Sequence, residues 1–137
     1  MTTIIVPDRP GALANYPHAH RAGDMLFVSG LSCRQADDSH VGVTVVDVDT
    51  IRRDVAAQTH AVIDNLEAIL EAADAGLDDL VDLTVFLLDM DDYDAFNAVY
   101  DEYFDAETGP ARTTVAVDEL PHRNLAIEIK AVAYLGD

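Results

Sequence analysis

The stretch LVDLTVFLLDMDDYDAFNAVYDEYFDAETGPARTTVAV, residues 80–117, changes its hydrophobic period twice. Val81, Leu83, Val85 and Leu87 alternate as an apolar row, the period-two signature of a strand over 80–88. The acids that follow suit a helix N-terminus. Tyr93, Phe96, Val99, Tyr100 and Tyr103 then recur at three- and four-residue spacing, one stripe of a helix. Gly109-Pro110 stops it, and RTTVAV at 112–117 returns to strand. Arg112 is the puzzle of this stretch: one of only eight Lys and Arg residues stands at the mouth of a β-run.

Working outward, LAIEIKAVAY at 125–134 is a strand with Leu125, Ile127, Ile129, Ala131 and Ala133 on one face. Upstream, Ile51, Val55, Thr59, Val62, Leu66, Ile69 and Ala73 mark a helix of about six turns. Asp49 or Thr50 is its expected N-cap, and Gly76 its expected end. Residues 18–22 and 25–29 read as strands around a tight turn at Gly23-Asp24, and HVGVTVV at 40–46 as another. The turn-rich opening carries a short strand at Thr3–Val6. Beyond it the order is β-β-β-α-β-α-β-β. The fold class is α+β: a mixed sheet with two helices packed on one face, in a single domain spanning 1–137.

The rows assign the faces. Val81 to Leu87, Leu125 to Ala133, and Thr113, Val115 and Val117 are expected beneath the helices. The opposite rows hold Arg112, Thr114 and Ala116 on one strand, and Ala126, Glu128, Lys130, Val132 and Tyr134 on the other. That face is too apolar to be free surface, yet it carries charges. It is expected to be covered by an oligomer, with Arg112 and Glu128 meeting near the seam as a partly dry candidate site.

Composition excludes several functions. Eight cations against 26 acids leave a net charge of −18, with no basic patch. A polyanion such as nucleic acid, or an anionic membrane surface, is repelled by such a chain. Scattered Asp with a single Lys, Lys130, suits solubility in strong salt, so a halophilic cytoplasm is the expected setting. The lone Cys33 forms no intrachain disulfide and reads as a small buried residue. The opening MTTIIVPDRP has no basic segment leading into a long apolar core, and no apolar run approaches the ~18 residues of a membrane span.

Arg112 presents a rigid fork matched to a carboxylate ligand, or to one of the chain's own 26 acids. Glu128, between two isoleucines, can orient water and pass protons, or serve as a structural partner for Arg112 or Lys130. His18 and His20 in NYPHAHR share a strand face at the spacing some metal sites use. No further metal motif supports that reading, and no metal is expected. Ser29 lacks the G-x-S-x-G elbow of a nucleophile and is read as a hydrogen-bonding ligand contact. There is no Gly-rich phosphate loop.

The blocks HRAGDMLFVSG, AAQTHAVIDNLEAIL, VDLTVFLLDMDDYDAFNAVYDEYF, GPARTTVAV and AIEIKAVAY resemble, in order, the RidA/YjgF imine deaminase family from Tyr16 to Tyr134. The resemblance implies a chorismate-mutase-like α+β domain. It implies a homotrimer whose sheets form a central barrel with three inter-subunit clefts. It implies hydrolysis of reactive enamines and imines, such as 2-aminoacrylate, to a 2-keto acid and ammonia without any cofactor. Arg112 matches the arginine that binds the substrate carboxylate, and Glu128 the glutamate that positions water. Tyr16 and Ser29 match residues lining the cleft. Thr114 stands where many members have Cys, and Asp91 where many have Asn. YPHAHRAGDMLFVSG and GPARTTVAVDELPH are more similar to a 2-aminomuconate deaminase branch, whose substrate has two carboxylates. In that case His18, His20, His122 or Arg123 is available to the second one. The alternative is a non-catalytic module that holds a small carboxylate. A ribonuclease label, often given to this family, sits poorly with the charge.

Overall fold

The computed structural model describes residues 1–12 and 14–136. Among these, the strands are β1 (Thr2–Ile4), β2 (Ala19–Ala22), β3 (Met25–Leu31), β4 (Val43–Asp47), β5 (Thr50–Arg53), β6 (Leu80–Leu87), β7 (Ala111–Ala116) and β8 (Ile127–Tyr134). The α-helices are α1 (Val55–Ala72) and α2 (Tyr93–Tyr100). Six strands form one sheet in the order β1-β2-β3-β8-β6-β7, antiparallel except for the parallel β6–β7 pair. The β2–β3 hairpin closes on Gly23, whose φ of 60° lies where a side chain is disfavoured. α2 is the crossover between the parallel strands, as a parallel connection requires.

Both helices pack on one face, as the α+β reading expects. The core beneath them holds Leu26 and Val28 of β3, Leu83, Val85 and Leu87 of β6, and Ile127, Ile129, Ala131 and Ala133 of β8. Val62, Leu66 and Ile69 of α1 and Phe96 of α2 close it from above.

Three expectations are corrected. α1 begins at Val55, not at Ile51: Asp54 is the N-cap, its Oδ1 accepting from the Ala57 amide at 3.0 Å. Residues 50–53 are instead β5, which pairs with β4 in a separate two-stranded ribbon. The β-branched Ile51 fits either period, and the capping carboxylate decides between them. The helix ends at Ala73, with Asp74 left-handed at φ 58°, before Gly76 is reached. Second, Val81 leaves the apolar row. The β6–β8 register shifts between Leu80 and Asp82, so Leu80 is buried and Val81 exposed.

The third correction concerns β7. Leu83 pairs with Arg112 and Ala131, and Val85 with Thr114 and Ile129. Side chains at paired positions share a face, so Arg112 and Thr114 lie on the helix side. Thr113 and Val115 are the exposed row, beside Phe86 and Glu128 on the open face. The β7 alternation is nearly symmetric in hydrophobicity, and the stacking of Arg112 on α2 settles which row turns inward.

Candidate active site

Near the start of β7 the Arg112 guanidinium meets three rings of α2. Its carbon lies 4.6 Å from the Tyr100 ring centroid, 5.0 Å from Phe96 and 5.8 Å from Tyr93. Nη2 donates to the Tyr93 hydroxyl at 3.2 Å. The aromatic stripe that makes α2 amphipathic thus also holds a cation, attracted by the ring faces. Among the described residues no carboxylate lies within 4.0 Å of Arg112, in a chain with 26 acids. The intrachain salt bridge to which such an arginine would ordinarily be assigned is therefore not made. Two positions along, the Thr114 hydroxyl is buried with no hydrogen-bond partner among the described residues. Asp91 is exposed in a 3-10 turn at Met90–Asp92, its amide donating to Asp89 Oδ1 at 2.8 Å.

Glu128 belongs to a different surface. It lies on the open face, in a cleft of about 80 Å³ at the end of the sheet where β3 bulges between Val28 and Leu31. Tyr16, Ser29 and Gly30 line the same cleft. A Cβ on Gly30 would overlap Glu128 Oε1, so only glycine lets the carboxylate lie against the β3 backbone. Burial pushes the Glu128 carboxyl above its ordinary value. Lys130, its sequence neighbour on the same face, donates instead to the Val28 carbonyl at 3.2 Å. Ser29 Oγ donates to the Pro17 carbonyl at 2.7 Å, which spends its proton and leaves its lone pairs available. Tyr16 is half exposed at the rim.

Buried polar side chains hold the cleft walls. His18 Nδ1 accepts from the Val6 amide at 2.9 Å, so Nε2 carries the proton and donates to the Pro10 carbonyl at 2.8 Å. Both ring nitrogens are occupied by main chain, and the His18–His20 metal reading is set aside. Among the described residues no group of three or more His, Cys, Asp or Glu is arranged to hold a metal. Asn65 of α1 donates to the carbonyls of Ser32 and Arg34 and accepts from Arg9 Nη1. Gln58 donates to the Asn124 carbonyl and accepts from the Ala126 amide, fixing the approach to β8. Cys33, fully buried, has its thiol pushed up to about 11 by burial.

The fold thus gathers Tyr16, Ser29 and Glu128 in one cleft. It keeps Arg112 and Thr114 together at another edge, with Asp91 in the turn that leads into α2. Arg9, Arg34, His40 and Asn65 also line the cleft, and sequence reasoning singled out none of them. Three of them, Arg9, Arg34 and His40, lie outside the strands and helices. Asn65 carried a readable signal, a polar residue within the apolar stripe of a long helix.

The family model described as Endoribonuclease L-PSP matches residues 6–135. A RutC family protein of Pyrococcus horikoshii is 37% identical over 131 residues, covering 96% of this chain and 95% of the relative. The 2-iminobutanoate/2-iminopropanoate deaminase of Escherichia coli K12 is 35% identical over 133 residues, covering 96% and 95%. RidA from an Antarctic Psychrobacter superposes with a TM-score of 0.83 at 29% identity, covering 98% of this chain and 99% of that one. Escherichia coli TdcF with bound serine superposes with a TM-score of 0.79 at 29% identity, covering 98% of each chain.

Proposed function

Because the chain belongs to the RidA/YjgF/RutC family, we propose that it is a hydrolytic deaminase of reactive enamine and imine acids, working as a homotrimer. The carrying observation is the Arg112 guanidinium, stacked on three rings and without a carboxylate partner among the described residues. An arginine so placed is preorganised for a ligand carboxylate. That a relative, TdcF, takes up serine, an amino acid with a free carboxylate, supports the same reading.

Arg112 and Glu128 point from opposite faces of one sheet, so no small molecule joins them within a chain. A ring of heterologous contacts brings the β7–α2 edge of one subunit to the Glu128 cleft of the next. The open face, with Phe27, Val115 and Tyr134 exposed, is the surface such a ring would cover.

The chemistry then follows. The enamine 2-aminoacrylate tautomerises to 2-iminopropanoate, whose C2 is electrophilic. Arg112 holds the carboxylate in its fork. A water beside Glu128 adds its oxygen to C2 as the carboxylate takes its proton. The same carboxyl returns that proton to nitrogen, giving a carbinolamine. It then takes the hydroxyl proton and delivers it to nitrogen as the C–N bond breaks and the C2–O bond becomes a carbonyl, and pyruvate and ammonia leave. A carboxyl raised by burial holds a proton more readily than a solvated one, which suits this double use. The Thr114 hydroxyl, buried without a partner, is free to bond the bound carboxylate.

The test is ammonia release by the purified protein in concentrated KCl, with the enamine generated from serine by a dehydratase. Accelerated release that disappears in Arg112→Ala is the expected result. No acceleration, with 2-keto acids still bound, would leave a carboxylate-binding module in its place.

A further inference from the structure

The Glu128 cleft inverts the electrostatics of the molecule. In a chain of 26 acids, Glu128 is the single carboxylate among the described residues that line it. Arg9, Arg34, His18, His40 and His122 line it too, two of the eight Lys and Arg and three of the five His.

His40 and His122 stack there, ring centroids 4.4 Å apart at 33°. Asn124 sets the state of both. Its main-chain amide donates to His122 Nδ1 at 3.0 Å, and its side-chain Nδ2 donates to His40 Nδ1 at 3.2 Å. Each Nδ1 is thereby an acceptor, so each neutral ring carries its proton on Nε2. Neither Nε2 has a partner among the described residues. Arg34 stands beside them, paired with Asp38 from outside the cleft and bonded to the Gly11 carbonyl. Burial, then His122 and Arg34, hold His40 below the usual imidazole value, against a smaller opposing pull from Asp38. Two imidazole N–H donors without partners, on stacked rings that line the cleft together with Arg34, suit a pair of anionic oxygens.

We infer that the stacked His40–His122 pair is a second recognition point of the cleft, binding a distal carboxylate and selecting 2-imino acids that carry two carboxylates. The inference rests on the deaminase reading above for the identity of the first carboxylate site. Asn124 is a positioning residue, holding both rings in the Nε2–H form.

The experiment uses the full-length protein and product analogues, so it needs no turnover. Calorimetric titration with 2-oxoglutarate and with 2-oxobutanoate yields a ratio of dissociation constants. The wild type is expected to prefer the dicarboxylate by about tenfold or more. His40→Phe/His122→Phe keeps two rings in the stack and removes both donors, and its ratio should fall to about two or less. Asn124→Ala keeps both imidazoles, lowers the ratio part of the way, and changes the ring nitrogen shifts from the Nε2–H pattern. If the double variant fails to fold, Asn124→Ala carries the test alone. A wild-type ratio near one, or a preference that survives both variants, overturns the inference. Ammonia release from 2-aminoacrylate, measured alongside, reports separately on the deaminase reading. A high ratio without release overturns that reading and leaves the subsite standing.

Discussion

Arg112 and Glu128 leave the same sheet on opposite sides. Phe86 pairs with Glu128 and Val115 on the open face, whereas Leu83 pairs with Arg112 on the helix face. Three residues along the strands and two strands across also separate them, roughly 10 Å in each direction. Inactive variants at these two positions are therefore expected to complement. Arg112→Ala and Glu128→Gln subunits, unfolded together and reassembled at equal amounts, should regain about a quarter of wild-type ammonia release, since random assembly gives one site in four both intact groups. Mixed assemblies as inactive as their parents would place both groups on one chain.

Arg112→Lys keeps the charge and loses the planar fork and its stacking on the α2 rings. Its kcat/KM should fall at least tenfold, and that of Arg112→Ala roughly a hundredfold or more. Steady-state ammonia release reads both, and a lysine variant working at the wild-type rate would remove Arg112 from the carboxylate site.

Thr114→Val replaces an unpartnered buried hydroxyl with a methyl of the same shape. The ligand-free protein should gain about 1 kcal/mol in denaturant unfolding, because a lone buried hydroxyl costs stability. Binding of 2-keto acids should weaken in the same variant. A gain in stability with unchanged binding would make Thr114 a packing residue only.

Glu128 gives a pH-dependent signature. Its folded-state carboxyl is raised above the ordinary 4.5, so the folded state holds this proton more tightly than the unfolded one. The stability it contributes is complete below 4.5 and is lost as pH rises through the folded value. Glu128→Gln should therefore melt higher than wild type at neutral pH, with the gap closing on acidification. Thermal melts across pH 4 to 8 check the sign, and a gap that widens in acid contradicts the burial argument.

A net charge of −18 on so small a surface repels itself unless screened. The melting temperature should rise steadily between about 0.1 M and about 2 M KCl, where the Debye length shrinks from about 10 Å to below 3 Å. A flat response would assign the acids to ordinary solvation. The same charge predicts no retention on RNA at physiological salt.

Local pattern carried most of the fold. The apolar rows of β6 and β8 and the stripe of α1 are periodic enough to announce both element and face. Ile51 and Val81 went astray for local reasons, a cap three residues further on and a bulge. β7 went astray because Arg112-Thr113-Thr114-Val115 offers no apolar majority to either side.

From the sequence alone came the α+β class, the family resemblance, the expectation that polyanionic partners are repelled, and Arg112 and Glu128 as residues of interest. Tertiary structure decided that these two face away from each other. It decided that Asn124 fixes two imidazoles, and that an acidic chain gathers two arginines and three histidines in one cleft. The physical reason is common to all three. A side chain's face depends on strand register and on what packs against it. Ring tautomer and local potential depend on groups far apart in the chain, such as His40 and Asn124. Those contacts exist only once the sheet has closed its pairs and α1 has drawn the loops onto it.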